Sequence, residues 1–240
     1  MALNVSKGNM YEFVTHTWNT VKGICPHGCS YCYMHRFGNQ KPVRFDPKEL
    51  RTDLGAKENE SDPDNFIFVG SSCDMFADAI PLDWAKRTTD YCKTFSGVQY
   101  LFQTKNPGRL FDSSLLPDKS ILCTTIETNR WMPEIMKSCP TPFERADAML
   151  NLYGAGWKIR KFLTIEPIMD FDVEDMLRLI SMCNVEQVNI GADTGRNNLP
   201  EPSRAKIEKL MFGIAFMSHA IKIVVKPNMN RLLKQDIGVR

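Results

Sequence analysis

Cys25, Cys29 and Cys32 stand in the run Gly23-Ile24-Cys25-Pro26-His27-Gly28-Cys29-Ser30-Tyr31-Cys32, a C-x3-C-x2-C triplet with an aromatic residue just before the third thiol. Three thiolates this close can wrap one small inorganic centre. A four-iron cluster is ordinarily closed by four cysteines, so a triplet leaves one iron without a protein ligand and open to a small molecule. Two other chemistries compete. A disulfide framework calls for denser cysteines than eight in 240 residues and for an oxidising compartment. A structural zinc site usually shows two paired Cys or Cys/His halves, and His27 and His35 could complete such a shell, but no second cysteine pair follows downstream. Gly23 and Gly28 suit a loop that must bend where a Cβ would obstruct it.

Such a loop needs a scaffold, and the rest of the chain reads as one. Short β-branched or aromatic runs at residues 15–22, 65–70, 98–103, 120–126, 161–165, 187–190 and 221–225 are expected strands. Between them lie helical patterns at 81–95, 107–115, 142–153, 173–183 and 202–219. Pro81 with Asp83, and Pro142 with Glu144, have the proline-first, acid-next order of helix starts. Strands joined by crossover helices pair in parallel, which predicts an α/β fold and, at this length, a partial (β/α)6-type barrel. The polar stretch 39–64, with its charged run Lys57-Glu58-Asn59-Glu60-Ser61-Asp62, reads as a surface excursion holding one short helix near 47–54. No repeat or linker interrupts the pattern, so one domain over 1–240 is expected.

Composition narrows the partners. At 43% hydrophobic the chain can bury a full core, and 30 basic against 28 acidic residues leave a formal charge of only +2. That balance excludes a broad polyanion-binding field and leaves nucleic acid to a local patch. No apolar run is long enough to span a bilayer. Met1-Ala2-Leu3-Asn4-Val5-Ser6-Lys7 lacks the basic-then-apolar layout of a signal peptide, so a cytoplasmic, reducing setting is expected (the host cytoplasm if the gene is a phage's).

In barrels, chemistry collects at the carboxyl ends of the strands. Those ends carry Gly70-Ser71-Ser72-Cys73-Asp74, Gln103-Thr104-Lys105-Asn106, Glu127-Thr128-Asn129-Arg130, Glu166-Pro167, Gly191-Ala192-Asp193-Thr194-Gly195 and Lys226-Pro227-Asn228. All should converge with the cysteine loop on one mouth. Glu127 and Glu166 follow apolar strands directly, an expensive place for a charge unless it is partnered. Cys92, Cys123, Cys139 and Cys183 read as core or incidental.

With these residues set out, the chain resembles the radical S-adenosylmethionine (SAM) superfamily over nearly its full length. More narrowly it resembles a phage-associated branch marked by a three-cysteine motif, and more distantly spore photoproduct lyase. The narrower likeness rests on Trp18-Asn19, Cys32-Tyr33, the 67–76 run Ile-Phe-Val-Gly-Ser-Ser-Cys-Asp-Met-Phe, Gln103-Thr104-Lys105-Asn106, Thr125-Ile126-Glu127-Thr128-Asn129 and the 188–195 run. The resemblance implies a 4Fe–4S cluster on Cys25, Cys29 and Cys32, with Tyr31 near the SAM adenine. Gly70, Ser71 and Ser72 occupy the place of a Gly-Gly-Glu run that binds the SAM amino group, although Ser72 replaces the acid. Glu127 is then a candidate for the ribose or amino group, Lys105 and Arg130 for the SAM carboxylate, and Gly191 for a close approach to the adenine. Cys73 is a candidate hydrogen-atom donor. Asp193 and Lys226 are candidates for substrate chemistry.

The activity the resemblance implies is reductive cleavage of SAM to a 5′-deoxyadenosyl radical, fed by an external one-electron reductant such as flavodoxin or ferredoxin. Its expected substrate is a modified pyrimidine in DNA or a nucleotide, isomerised in phage DNA hypermodification. The alternatives are lyase-type repair of a DNA photoproduct and a non-enzymatic, metal-holding interaction protein. The basic residues Lys105, Arg109, Arg130, Arg196, Arg204 and Lys226 are the expected phosphate contacts.

Overall fold

The computed structural model describes residues 3–6, 11–38, 40–55, 66–154, 158–218 and 220–234. Met1, Ala2, Lys7, the charged run 57–62, and the outer residues Asn65 and His219 of two expected elements lie outside them. The strands are β1 (Asn4–Val5), β2 (Val14–Trp18), β3 (Val21–Lys22), β4 (Arg44–Phe45), β5 (Phe66–Val69), β6 (Gln99–Thr104), β7 (Ser120–Thr125), β8 (Arg160–Ile165), β9 (Gln187–Ile190) and β10 (Lys222–Val225). The helices are α1 (Leu82–Lys93), α2 (Pro133–Met136), α3 (Pro142–Gly154), α4 (Val173–Cys183), α5 (Arg204–Met217) and α6 (Asn230–Leu233). Eight strands form one sheet in the order β1-β2-β5-β6-β7-β8-β9-β10. The edge strand β1 is antiparallel to β2, and the other seven run parallel.

Parallel neighbours demand crossovers, and α1, α3, α4 and α5 supply them. The connection from β6 to β7 differs from expectation. In place of a helix over 107–115 it holds two 3-10 turns, Pro107–Arg109 and Ser113–Leu115. Asp112 accepts a hydrogen bond from the Ser114 amide at 2.8 Å, a local bond that competes with helix continuation. The short helix near 47–54 is likewise a 3-10 turn, Pro47–Arg51, capped by Asp46. The strand expected over 15–22 is broken at Asn19, beyond which β3 leaves the main sheet to pair with β4. The Asn19 side chain accepts from Ser71 Oγ at 3.3 Å and from the Ser72 amide at 2.9 Å, so the break ties β2 to the turn after β5.

Side-chain alternation decides which face does what. Tyr100, Phe102, Leu122, Leu163, Ile165, Val188 and Ile190 pack outward with the helices into one large core. Phe66, Phe68, Leu101, Ile121, Cys123 and Phe162 point the other way and close on Tyr11, Val14 and Phe13 in a smaller cluster. Farther along the strands the inner face turns polar, at Gln103, Thr125 and Thr164. An aromatic plug therefore fills the amino end of the concave side, and a polar floor opens above it. None of the described helices is long and apolar enough to cross a membrane.

Leu163, fully buried on β8 between sheet and helices, tests this packing. Leu163→Ala should lower unfolding stability by about 2–5 kcal/mol, measured by urea denaturation. A change below about 1 kcal/mol would contradict a close-packed outer face.

Candidate active site

The carboxyl ends of the parallel strands open into a cavity of about 530 Å³ lined by Cys25, Cys29 and Cys32 together. The loop reaches it through two left-handed glycines, Gly23 (φ 109°) and Gly28 (φ 63°). A Cβ on Gly23 would lie 2.6 Å from the carbonyl oxygens of Lys41 and Pro42, so no other residue fits there. His27 is buried and donates from Nε2 to Asp74 at 2.8 Å. Asp74 also accepts from Thr104 Oγ1 at 3.0 Å and from the Lys105 amide at 2.8 Å. One carboxylate thus locks the cysteine loop to the ends of β5 and β6. Burial pushes the Asp74 carboxyl up, but its bonds to His27 outweigh this and hold it low.

The three thiols are not equivalent. A hydrogen bond with Cys73 brings Cys25 down to about 7 against the opposing effect of burial. Cys29 lies 3.3 Å from the Cys139 sulfur. That bond, with the nearby Lys105 charge, holds Cys29 down to about 5 although burial opposes it. Cys32 is pushed up by burial. Cys139, which the sequence presents as incidental, is therefore part of the site.

Behind the loop lies a buried charge cluster. Glu127 is fully buried and meets Lys105 Nζ and the Tyr31 hydroxyl on Oε1, and Arg145 Nη1 on Oε2 at 2.7 Å. Arg145, also fully buried, donates to the carbonyls of Thr125 at 2.9 Å and Pro140 at 2.7 Å. Burial raises the Glu127 carboxyl, and the two cations more than reverse it. Of the two cations on Glu127 the one that faces the cavity is Lys105, which lies 4.4 Å from the Tyr31 ring centroid. Sequence reasoning placed Glu127 on the cofactor. In the structure Glu127 is bonded to Lys105, Tyr31 and Arg145 and is not among the residues that line the cavity. Sequence reasoning missed Arg145, since a lone arginine within a helical pattern carries no signal of its own.

The remaining candidates divide. Tyr31, Gly70, Ser71, Lys105, Asp193 and Lys226 line the cavity; Ser72, Cys73, Arg130 and Gly191 do not. The Ser72 amide is spent on Asn19. Cys73 is buried behind Cys25. Arg130 is turned away, bonded to Asp170 at 2.7 Å and to Asp172 at 2.8 Å. The space before Gly191 is filled by Glu166, whose carboxyl carbon would lie 2.5 Å from a Cβ there. Asp193 folds its own loop, accepting from the Gly195 amide at 2.8 Å and the Asn197 amide at 2.5 Å. Of the expected phosphate contacts, Arg109 donates to the Ile80 carbonyl at 2.8 Å and Arg204 pairs with Glu208 at 2.7 Å. Neither lines the cavity.

Opposite the thiols stand the expected strand-end residues Gln103, Glu166 and Lys226, joined by Tyr11, which the sequence did not single out. Tyr11 donates to Gln103 Oε1 at 2.8 Å and shares a 2.5 Å hydrogen bond with the Thr164 hydroxyl, while Gln103 Nε2 donates to Thr125 at 2.9 Å. Above this floor Lys226 Nζ bonds Glu166 at 2.5 Å and lies 4.8 Å from the Tyr11 ring centroid. At the rim stand exposed Tyr33, Phe37 and Arg36. A second hollow of about 540 Å³ lies at the amino ends of β8, β9 and β10, the end at which barrels place stability rather than chemistry.

Among the described residues, no three His, Cys, Asp or Glu side chains converge as a single metal ion requires. His27 is committed to Asp74 and His35 is exposed, so neither completes a zinc shell. A polynuclear cluster asks for a different arrangement, thiolates ringing an open space with each on its own iron. Three thiols around one cavity, two of them held low, with the Lys105 cation facing the same space, fit that donor chemistry.

Glu127→Gln keeps the shape but leaves Lys105 and Arg145 facing each other without a counter-charge. Loss of one member of a buried ion cluster predicts a destabilisation of about 3–5 kcal/mol, read by urea denaturation of the metal-free protein. An unchanged midpoint would show that the cluster is solvated.

The DUF5131 family model, described as a protein of unknown function, matches residues 9–204. Curated proteins yield no match. Among solved structures, a mutant spore photoproduct lyase with bound AdoMet and dinucleoside spore photoproduct is similar at a TM-score of 0.68 and 10% identity, over 90% of this chain and 78% of that one. A spore photoproduct lyase complexed with the same dinucleoside gives 0.65 and 12%, over 91% and 78%. SuiB of Streptococcus suis bound to its precursor peptide SuiA gives 0.55 and 11%, over 87% of this chain and 48% of that one. The chain therefore has the partial-barrel radical SAM fold of these proteins and belongs to the DUF5131 family.

Proposed function

We propose that this protein is a radical SAM enzyme in which Cys25, Cys29 and Cys32 hold a 4Fe–4S cluster. One observation carries the reading: a C-x3-C-x2-C triplet lines the carboxyl-end cavity of a fold shared with a lyase that binds AdoMet. When bound, cluster and SAM supply one-electron cleavage of SAM to a 5′-deoxyadenosyl radical, with electrons from a flavodoxin- or ferredoxin-type reductant. This chain's residues bind and orient. Lys105, fixed by Glu127 and facing the cavity, is the partner for the SAM carboxylate; Arg130, spent on two aspartates, is not. Gly70 and Ser71 present backbone to the amino group, and Tyr31 flanks the same ligand.

The substrate we propose is a pyrimidine base, in DNA or as a nucleotide. The floor of Tyr11, Gln103, Thr125 and Thr164 offers donors and acceptors at fixed places, as the edge of a base requires. A base in duplex would have to flip into the cavity past Tyr33 and Phe37, which can stack on it. Isomerisation of an already modified pyrimidine in phage DNA fits this site. Photoproduct repair is the second reading, favoured by the likeness to spore photoproduct lyase bound to its dinucleoside.

Anaerobic reconstitution should load about four irons per chain, lost when the three cysteines become alanine. Incubation with SAM, reductant and DNA or nucleosides should yield 5′-deoxyadenosine and a nucleoside of changed mass or chromatography. Recovery of unconsumed SAM with a reversed thymine dimer selects repair instead. Lys105→Met removes a charged hydrogen bond of about 1.5–3 kcal/mol. SAM affinity should then fall by roughly tenfold to a hundredfold with iron retained, whereas Arg130→Ala should bind SAM as the parent does. Equal weakening by both variants would overturn the assignment.

A further inference from the structure

We infer that the Cys139 thiol is a positioning residue that donates a hydrogen bond to the Cys29 sulfur and thereby raises the reduction potential of the cluster. The inference rests on the cluster reading above. The two sulfurs lie 3.3 Å apart, and both residues are buried. As an iron ligand Cys29 is a thiolate without a proton, so the proton between the sulfurs belongs to Cys139. Without it two thiolates in contact would repel.

The placement is built rather than incidental. The Ser30 amide donates to the Ile135 carbonyl at 2.9 Å, and the Ser138 amide to the His27 carbonyl at 3.1 Å. These bonds stitch the 135–139 segment along the cysteine loop, on both sides of Cys29 in sequence. Lys137, at φ 55°, turns the chain so that Cys139 follows the last stitch. Cys29, Cys139, Met136 and Met169 pack as one apolar cluster, joined by the half-buried Ile135 and Leu199. Cys139 stands behind Cys29 and outside the cavity lining that Cys25, Cys29 and Cys32 share, which makes it a donor to Cys29 and not a ligand. Hydrogen bonds to cluster sulfurs stabilise the more negative, reduced state and so raise the potential. A donor withdrawn from Cys29 therefore makes the cluster harder to reduce.

Wild-type protein, Cys139→Ala and Cys139→Ser are reconstituted anaerobically without substrate; iron content and the midpoint potential, by EPR-monitored titration, are measured. Iron per chain should be equal in all three. In Cys139→Ala the equilibrium constant for one-electron reduction should fall about tenfold, equal to about 59 mV. Cys139→Ser, whose hydroxyl can still donate, should recover at least half of that shift. Identical potentials in the three proteins would overturn the inference and leave the cluster reading intact. Loss of iron in both variants would make Cys139 a ligand and overturn it too. A wild-type protein that takes up no iron would remove the cluster reading and this inference with it.

Discussion

Burial of a single carboxylate organises the cavity. Glu127 ends the inner path of β7 where no water reaches it, so its charge must be met from within the protein. Arg145 reaches it from α3, Lys105 from the end of β6 and Tyr31 from the cysteine loop. Three elements far apart in sequence are thereby held at one point. Of the groups gathered there, Lys105 and Tyr31 face the cavity. Asp74 repeats the device on the other side of the loop, joining His27 to the ends of β5 and β6. The cysteine loop contributes no strand or helix to the main sheet, and these two carboxylates stand in for regular structure.

The barrel wall prepares the rest of the cavity through a change of polarity along each strand. Period-two alternation sets which side chains face inward, and it does not say what they should be. Here the inner positions run from Leu101 to Gln103 on β6, from Ile121 through Cys123 to Thr125 on β7, and from Phe162 to Thr164 on β8. The amino-end aromatics exclude water below, so the hydrogen bonds among Tyr11, Gln103, Thr125 and Thr164 form on a dry base and hold their geometry. Glu166 and Lys226 sit on top of that floor, and Gly191 is a glycine because the Glu166 carboxyl occupies the place of its side chain.

Where sequence reasoning and structure part, local competition or distant contact is the cause. The helix over 107–115 fails because Asp112, accepting from the Ser114 amide, caps a new turn at Ser113 in the middle of that span. The strand over 15–22 breaks because Asn19 is needed by the turn after β5. Arg130 looks like a site residue from its position just past a strand end, yet Asp170 and Asp172, forty and more residues on, claim it. Cys139 and Arg145 look like nothing in the chain and become neighbours of the thiols only when the 132–145 stretch folds back on the loop.

Sequence alone determined the class. The cysteine spacing is local, covalent geometry over eight residues, and the alternation of apolar strands with amphipathic helices reports a parallel α/β wall, because both periods are properties of neighbouring residues. It also located the strand ends that surround the cavity. Tertiary structure decided which of those end residues face inward and which are consumed elsewhere. That choice depends on who neutralises a buried charge and who fills a glycine's empty side, and partners 18, 40 or 110 residues away supply the answer.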